Sequence, residues 1–338
     1  MGHPYCCPLC KQPLIEETQH YTCGKCARQY RQFAGIPNFK PQEIYPGEER
    51  VLEDIAQKYD RMSFLELLEY ADSRPEKNIL PWELRRCLRF ASKDRQSQQE
   101  CLANYTRDTI ARPGADQMHV TLKLLGYGRG QNNFRRCLDI GCGRGPWAVA
   151  AAAGYKEIFA LDMDMSSLVL ARKYCQEQGL TNIRFLSASS SALPFAENYF
   201  DLVNSQAVLE HVDNQPGTLR EIQRVLAPGG YFTGDSVNTW NLFTPEPHVN
   251  IRLIGFLPKS WGHKLSLKLR DFPYDDLQPL TYVQLQKMLR DAFGSHYQII
   301  PFVELPQKSL TQSVMKRLPT GFLNWFTHTH YILAGKQG

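Results

Sequence analysis

Two short stretches hold side chains whose chemistry depends on their spacing. CCPLCKQPLIEETQHYTCGKC, residues 6–26, contains five of the chain's ten cysteines. Cys7 and Cys10 form one Cys-x2-Cys pair and Cys23 and Cys26 another, with 12 residues between the pairs. Each pair can fold into a tight knuckle presenting two thiolates. Two knuckles supply four sulfurs, the set that tetrahedral zinc takes at about 2.3 Å. A redox centre needs only one such pair, and disulfides are disfavoured where thiols stay reduced. Cys6 is left over, either as a spare thiol or as a substitute for Cys7. LDIGCGRGPW, 138–147, is the second stretch: an apolar run enters Gly141-Cys142-Gly143-Arg144-Gly145 directly. Glycines at such a point let the backbone turn sharply and approach a ligand closely.

Other candidates fall at useful distances from that turn. Asp162 closes the run EIFALD, about 20 residues beyond the glycines, where a carboxylate can accept hydrogen bonds from both ribose hydroxyls of a nucleoside. Pro146 stands where a dinucleotide fingerprint wants Gly or Ala. Glu210 and His211, in VLEHV, could serve as a general base or as a metal pair. NTWNLFTPEPHVN, 238–250, concentrates Asn238, Trp240, Asn241, Glu246 and His248 in a Pro-broken loop. Polar groups beside aromatics suit the orientation of a ligand, and Glu246 and His248 are the candidates for proton transfer there.

These residues need elements to hold them. Residues 1 to about 40 are rich in Cys and turn formers and end in FAGIPNF. From 45 to about 130 the spacing predicts helices, in VLEDIAQKYDRMSFLELLEY and PWELRRCLRF, with PGADQ (113–117) as a break. From Arg136 onward five short apolar runs, CLDIGCG, EIFALDMD, NIRFLSAS, FDLVNSQ and GGYFTGDS, alternate with helical patterns. That order predicts a parallel α/β sheet. A helix (TYVQLQKMLRDAF), a strand (YQIIPF), an insertion with a helical pattern (SLTQSVMKRL) and a last strand (HTHYILAG) complete the chain. His328 and His330 alternate in that strand and read as structural, and Cys87, Cys101, Cys137 and Cys175 read as small buried apolar residues.

The ordered motifs LDIGCGRG, ALDMD, ALPFAENYFDLV, VLEHV and RVLAPGGYF resemble the class I S-adenosylmethionine-dependent methyltransferases of the UbiE/UbiG-like branch (methyltransferase type 11). The resemblance is strong over 136–240 and weak beyond. It implies a Rossmann-like seven-stranded sheet in the order 3-2-1-4-5-7-6. It also implies S-adenosylmethionine as cofactor, with Asp139, Gly141, Cys142 and Gly143 at the methionine moiety, Cys142 through its backbone. Asp162 would take the ribose and Met163 would lie against the adenine. Ser189 stands where the family usually has an acid, and with Ser190 it would meet the adenine amino group. Asn204 and Ser205 would face the transferred methyl. Some relatives bind a divalent ion through Glu-x-x-Glu-His, but Ala207 replaces the first Glu, so that set is incomplete. The cysteine module, with Tyr21, Tyr30, Phe33 and AGIPNF, resembles a Trm112-like zinc ribbon. The expected organisation is a ribbon over 1–40, a helical segment over 45–130 that could cap the pocket, with Tyr59, Tyr70 and Tyr105 as substrate contacts, and a methyltransferase domain over 131–338 with a lid insertion at about 238–278.

Composition narrows the partners. The 338 residues carry a net charge of +5 and 43% hydrophobic residues, an ordinary globular balance. The first residues lack the apolar core of a signal peptide, Cys6 replaces the Ser or Thr of a myristoylation signal, and no run reaches a membrane span. A cytoplasmic enzyme is expected. Residues 251–270 hold Arg252, Lys259, Lys264, Lys268 and Arg270 and no acid, interleaved with apolar side chains. Such a stretch can lie on a membrane surface as a peripheral contact, cover a lipophilic substrate, or pack as a lid. The leading expectation is methyl transfer to a small molecule, lipophilic if that stretch covers it. The alternatives are an rRNA or tRNA methyltransferase that reads RNA with its ribbon, and a non-catalytic partner that kept the fold. The Asn/Asp-Pro-Pro-aromatic signature of many base methylators is lacking after the fourth strand.

Overall fold

The computed structural model describes residues 4–40, 46–72, 107–127, 134–301 and 314–337. Cys87, Cys101 and Tyr105 lie outside the described residues, as does most of the insertion before 314. Four short strands come first: β1 (Leu14–Glu16), β2 (His20–Cys23), β3 (Gln29–Phe33) and β4 (Ile36–Pro37), a meander paired in that order. Helices α1 (Pro46–Tyr59) and α2 (Phe64–Asp72) follow. A π-helical turn, Arg107–Ala111, leads into α3 (Arg112–Tyr127).

The predicted alternation then holds. β5 (Arg136–Ile140), α4 (Pro146–Ala151), β6 (Glu157–Asp162), α5 (Met165–Glu177), β7 (Ile183–Ser187) and β8 (Phe200–Ser205) are followed by α6 (Gln215–Val225) and β9 (Leu226–Val237). Then come α7 (Lys259–Arg270), α8 (Tyr282–Phe293), β10 (Tyr297–Ile300), α9 (Thr320–Phe326) and β11 (Thr329–Gly335). The seven later strands form one sheet in the order β7-β6-β5-β8-β9-β11-β10. Numbered from β5, this is the expected 3-2-1-4-5-7-6, and β11 runs antiparallel between β9 and β10. The fold is the Rossmann-like class I methyltransferase fold. The helices start where local chemistry predicts: Asp164 caps the Ser166 N–H, Asn214 caps the Gly217 N–H, and Thr281 with Gln284 forms a capping box.

The chain groups into two compact units. One comprises Met1–Met118, Cys142–Ser189 and Leu193–Ala196; the other comprises His119–Gly141, Ser190–Ala192 and Glu197–Gly338. These cut across the expected segment boundaries. In the first unit the cysteine module docks on β7. Asn38 bridges Ser187 in parallel, the Phe39 N–H donates to Ser187 O at 2.6 Å, and Tyr5 bridges Phe195. The Tyr5 ring packs among Tyr21, Phe39, Phe159 and Phe195. Helix α1 ends against α5: the Tyr59 hydroxyl donates to Gln176 and Lys173 Nζ donates to Tyr59 O at 2.9 Å. Tyr70 bonds Asp54. Tyr59 and Tyr70 thus take part in packing and local hydrogen bonding.

PGADQ is not a break; it lies inside α3. Pro113, which has no N–H to give the helical ladder, falls directly after the π-helical turn Arg107–Ala111, where the hydrogen-bond spacing changes. Gly114 is there for close packing, since a Cβ on it would stand 2.2 Å from the backbone oxygen of Pro146. Gly126, in the same helix, has open space around the same position. Gly114→Ala should therefore destabilise the protein by about 1–3 kcal/mol through overpacking, while Gly126→Ala should be neutral or stabilising by up to about 1 kcal/mol. Urea unfolding midpoints check this; equal midpoints for the two variants would remove the packing account of Gly114.

Candidate functional site

The glycine turn joins β5 to α4 with Gly141, Gly143 and Gly145 all at positive φ, 70°, 52° and 78°. A Cβ on Gly141 would strike Val208, whereas one on Gly143 would meet nothing within 4 Å. Gly143 therefore borders free space, the cradle a ligand needs, and its backbone is held from the other side. Its N–H donates to Asp162 Oδ2 at 2.8 Å, and the second carboxylate oxygen accepts from the Asp164 N–H at 2.8 Å. Burial raises the Asp162 carboxyl above the usual carboxylate range, against the pull of those amides. The Cys142 N–H bonds Leu161 O at 2.9 Å, and Met163, next to Asp162, is 50% exposed. Ser189 is half-buried on the loop after β7.

A polar network lies beneath β5 and β8 in the second unit. Asn204 Nδ2 donates to Asp139 Oδ1 at 2.9 Å. Asn204 Oδ1 accepts from Thr121, Gln206 and Thr233 at 3.0–3.3 Å. Asn204, which the motif places beside the transferred methyl, is 1% exposed, with its carbonyl engaged by three side chains and its amide on Asp139. Thr121, Gln206 and Thr233 were not among the candidates: Gln206 and Thr233 lie in the strand runs FDLVNSQ and GGYFTGDS without being singled out, and Thr121 lies in α3. The Ser190 hydroxyl pairs with Thr218 at 2.9 Å, which leaves its backbone for any ligand. Ser205 Oγ is buried without a partner among the described residues.

The three proton-transfer candidates meet in the same unit. His248 Nδ1 lies 2.6 Å from Glu246 Oε1, and His248 Nε2 lies 3.0 Å from His211 Nε2. Glu246 is fixed in turn, its Oε2 accepting the N–H groups of His248 and Val249 at 2.8 and 2.9 Å. The hydrogen bond to Glu246 raises the His248 pKa, while burial and then the neighbouring His248 charge lower that of His211. Two ring nitrogens 3.0 Å apart can share one proton, so the pair titrates as a unit. Glu210 sits beside them at 1% exposure, and neither carboxylate oxygen has a hydrogen-bond partner among the described residues. Burial, then Asp235, pushes its carboxyl up to about 7. Glu210, His211 and His248 each offer a donor atom within 4.8 Å of the others, a geometry that could hold a metal ion. The third donor of this set is His248 and not residue 207. His328 feels the charges of Glu246 and His248, though burial dominates its lowered pKa. His330 is structural, bonding Asn324 O at 2.8 Å.

Among the cysteines, Cys7, Cys10, Cys23 and Cys26 bring their sulfurs within 4.8 Å of one another. Cys10 and Cys23 Sγ are 3.5 Å apart, close to the edge of roughly 3.8 Å that a tetrahedron with 2.3 Å bonds requires. The Cys26 N–H donates to Cys23 Sγ, and the Tyr30 hydroxyl reaches Cys7 Sγ at 3.3 Å. The donor set fits zinc. Cys6 is not part of it; buried, it bridges Pro13 through backbone. Cys137, Cys142 and Cys175 are buried thiols.

Residues 138–233 match the family model described as a methyltransferase domain. The uncharacterized methyltransferase YcgJ of Bacillus subtilis is 32% identical over 97 residues, 29% of this chain and 38% of that protein. The demethylmenaquinone methyltransferase of Bacillus velezensis is 37% identical over 98 residues, 28% of this chain and 42% of that protein. The aligned stretch thus spans less than half the length of either relative. The crystal structure of YcgJ from Bacillus subtilis aligns with 65% of this chain and 99% of its own, at 19% identity and a TM-score of 0.45. Residues 138–233 thus carry a methyltransferase domain.

Glu246→Gln should remove the group that holds the His248 imidazolium. His248 has a raised folded pKa, so this contact stabilises the fold fully below the ordinary histidine pKa, and the contribution fades as pH rises through the raised value. In ring-proton NMR titrations the variant's His248 midpoint should fall toward about 6.5; an unmoved midpoint would show that Glu246 does not hold the charge.

Proposed function

We propose that this protein transfers a methyl group from S-adenosylmethionine to a small, lipophilic acceptor. The observation that carries the reading is the turn at Gly143, with open space on its Cβ side and its N–H tied to Asp162. In this reading the backbone at Gly141, Cys142 and Gly143 and the Asp139 carboxylate hold the methionine part of the cofactor. Asp162 bonds the ribose, Met163 covers the adenine, and Ser189 and the Ser190 backbone meet its amino group. Asn204 fixes Asp139. The cofactor brings an already activated methyl, so the protein must mainly align the acceptor and accept its proton. His211, with its lowered pKa, is the group that takes the proton. His248 shares that proton across the 3.0 Å contact, and Glu246 stabilises the charge that results.

Support for a lipophilic acceptor comes from the loop that carries His248. Trp240 stacks on Trp325 at 5.9 Å and Phe243 meets Phe322 edge-on at 6.4 Å, with Phe322 and Trp325 each 40% exposed. Relatives matching the cofactor domain include enzymes named for demethylmenaquinone. The four thiolates hold structural zinc in this proposal. The unpartnered Glu210 favours a second reading of the catalytic cluster, in which Glu210, His211 and His248 hold a divalent cation that acidifies an acceptor hydroxyl. Manganese(II) added to the purified chain separates the two: broadening of the His248 ring signals, lost in Glu210→Gln, would favour the cation reading.

Asp162→Ala should weaken S-adenosylmethionine binding by about 10- to 100-fold, the equivalent of one or two charge-assisted hydrogen bonds. Calorimetry reads this directly; unchanged affinity would sink the ribose role, and no binding to the parent protein would sink the enzyme reading. Metal analysis should find about one zinc per chain, lost with Cys10→Ser. A metal-free protein with all thiols reactive would overturn the zinc assignment.

A further inference from the structure

Helix α7 is turned inside out for a helix packed on a protein. The side it buries carries small residues, Gly262 and Ser266, one turn apart. A Cβ on Gly262 would touch Tyr274 and Ile254 at 3.3–3.4 Å, and Ser266 Oγ donates to Phe272 O at 2.7 Å. Its large apolar residues face outward instead. Trp261 is 65% exposed, and Leu267 and Leu269 are exposed as well. Just before the helix Leu253, Phe256 and Leu257 are exposed too. A satellite core of Val249, Ile254, Tyr274 and Leu277 anchors the segment, so this exposure belongs to a packed element and not to a loose loop.

The charges on this face are of one sign. Residues 251–270 hold five basic residues and no acid. Arg252 and Arg270 are used locally, bonding the carbonyls of Phe243 and Asn250. Lys264 and Lys268 lie three and seven residues after Trp261, on its side of the helix, and both are exposed. The nearest acids, Asp271, Asp275 and Asp276, come after the helix, and Asp275 is paired with His263 at 2.9 Å. An outward tryptophan flanked by lysines and leucines is the arrangement that seats a helix at the headgroup level of an anionic bilayer. A two-fold contact between copies of this chain would instead set lysine against lysine.

We propose that residues 251–270 form a docking surface for anionic lipid bilayers, with Trp261 and Leu267 entering the headgroup region and Lys264 and Lys268 meeting lipid phosphates. No helix among the described residues is long and apolar enough to cross a membrane, so the contact is peripheral. Docking does not require the methyl-transfer reading, although it would bring the loop bearing His248 to where lipophilic acceptors dissolve.

Flotation of the full chain with vesicles tests this. Vesicles of phosphatidylcholine with about one-third phosphatidylglycerol should retain the protein about tenfold or more better than phosphatidylcholine alone, and raised salt should release it. Trp261→Glu and the double variant Lys264→Glu/Lys268→Glu should each lower retention about tenfold with unchanged unfolding midpoints. Val283→Glu, at an exposed apolar residue on α8, should bind as the parent does. Equal retention on neutral vesicles, or none on anionic ones, would overturn the proposal. So would self-association broken by Trp261→Glu without vesicle binding, or capture of single-stranded RNA through the two lysines in its place.

Discussion

The hydrogen bond from the Phe39 N–H to Ser187 O, with the Asn38 bridge beside it, closes the edge of β7. A parallel sheet must be covered on its faces, and its edge strand offers unpaired amides to any other chain. Here the end of the cysteine module takes that edge. Phe39 is fully buried among Tyr5, Tyr21 and Tyr30, and Tyr5 reaches Phe159 of β6 and Phe195 of the loop after β7. A module of about 40 residues has too little apolar surface for a core of its own. It borrows one from the sheet and gathers four thiolates for a metal at its other end. The Cys6 N–H bonds Pro194 O and Lys11 Nζ bonds Leu193 O, so the loop beyond Ser187 is held from the module as well. The cysteines act through the sheet edge, not through chemistry of their own.

Two polar clusters in the second unit differ in how fully they are satisfied. Around Asn204 the amide bonds Asp139 Oδ1 and the carbonyl oxygen accepts from three side chains, which fixes one arrangement of Asp139, Thr121 and Gln206, and only Asp139 Oδ2 is left over among the described residues. A satisfied buried network adds rigidity and leaves nothing to react. The cluster around His248 is ordered on one side only. Glu246 is anchored by two backbone amides, His248 by Glu246, and His211 by His248, but Glu210 is left with a bare carboxylate. Desolvating a carboxylate without a partner carries a large cost, and folds tolerate it where a proton, cation or substrate group completes the set.

The α/β alternation and the glycine turn were legible because each rests on local rules, namely strand-helix periodicity, left-handed glycines, and a carboxylate at the end of the second strand of the sheet, whereas the strand order followed from the family resemblance and not from any local rule. The convergence of Cys7, Cys10, Cys23 and Cys26 was legible from their spacing. What escaped was long-range. His211 and His248 were each picked out separately, but nothing in the sequence between two residues 37 positions apart says that their Nε2 atoms meet. Asn204 looked like a ligand group because it ends a strand; its burial depends on Thr121, from a helix more than 80 residues earlier. PGADQ misled because Pro and Gly read as punctuation, whereas here Pro opens a helix and Gly makes room for the Pro146 carbonyl.

The basic apolar stretch and the imidazole cluster are mechanically one piece. Val249, whose N–H bonds Glu246, belongs to the same small core as Ile254, Tyr274 and Leu277 beneath α7. The Gln278 N–H donates to Glu210 O at 2.7 Å, and Gln215 Nε2 ties Leu209 O to Gln278 O. The segment that leaves the cluster at Val249 therefore returns to it at Gln278, having presented α7 to solvent in between. A packed core moves between discrete arrangements and resists continuous deformation. The segment bearing α7 and the turn that holds Glu246 against His248 thus share one small core. The placement of Gly262 and Ser266 on the inner side follows from the same demand, since small residues let the helix lie close enough to its anchor for the two ends of the segment to meet the cluster together.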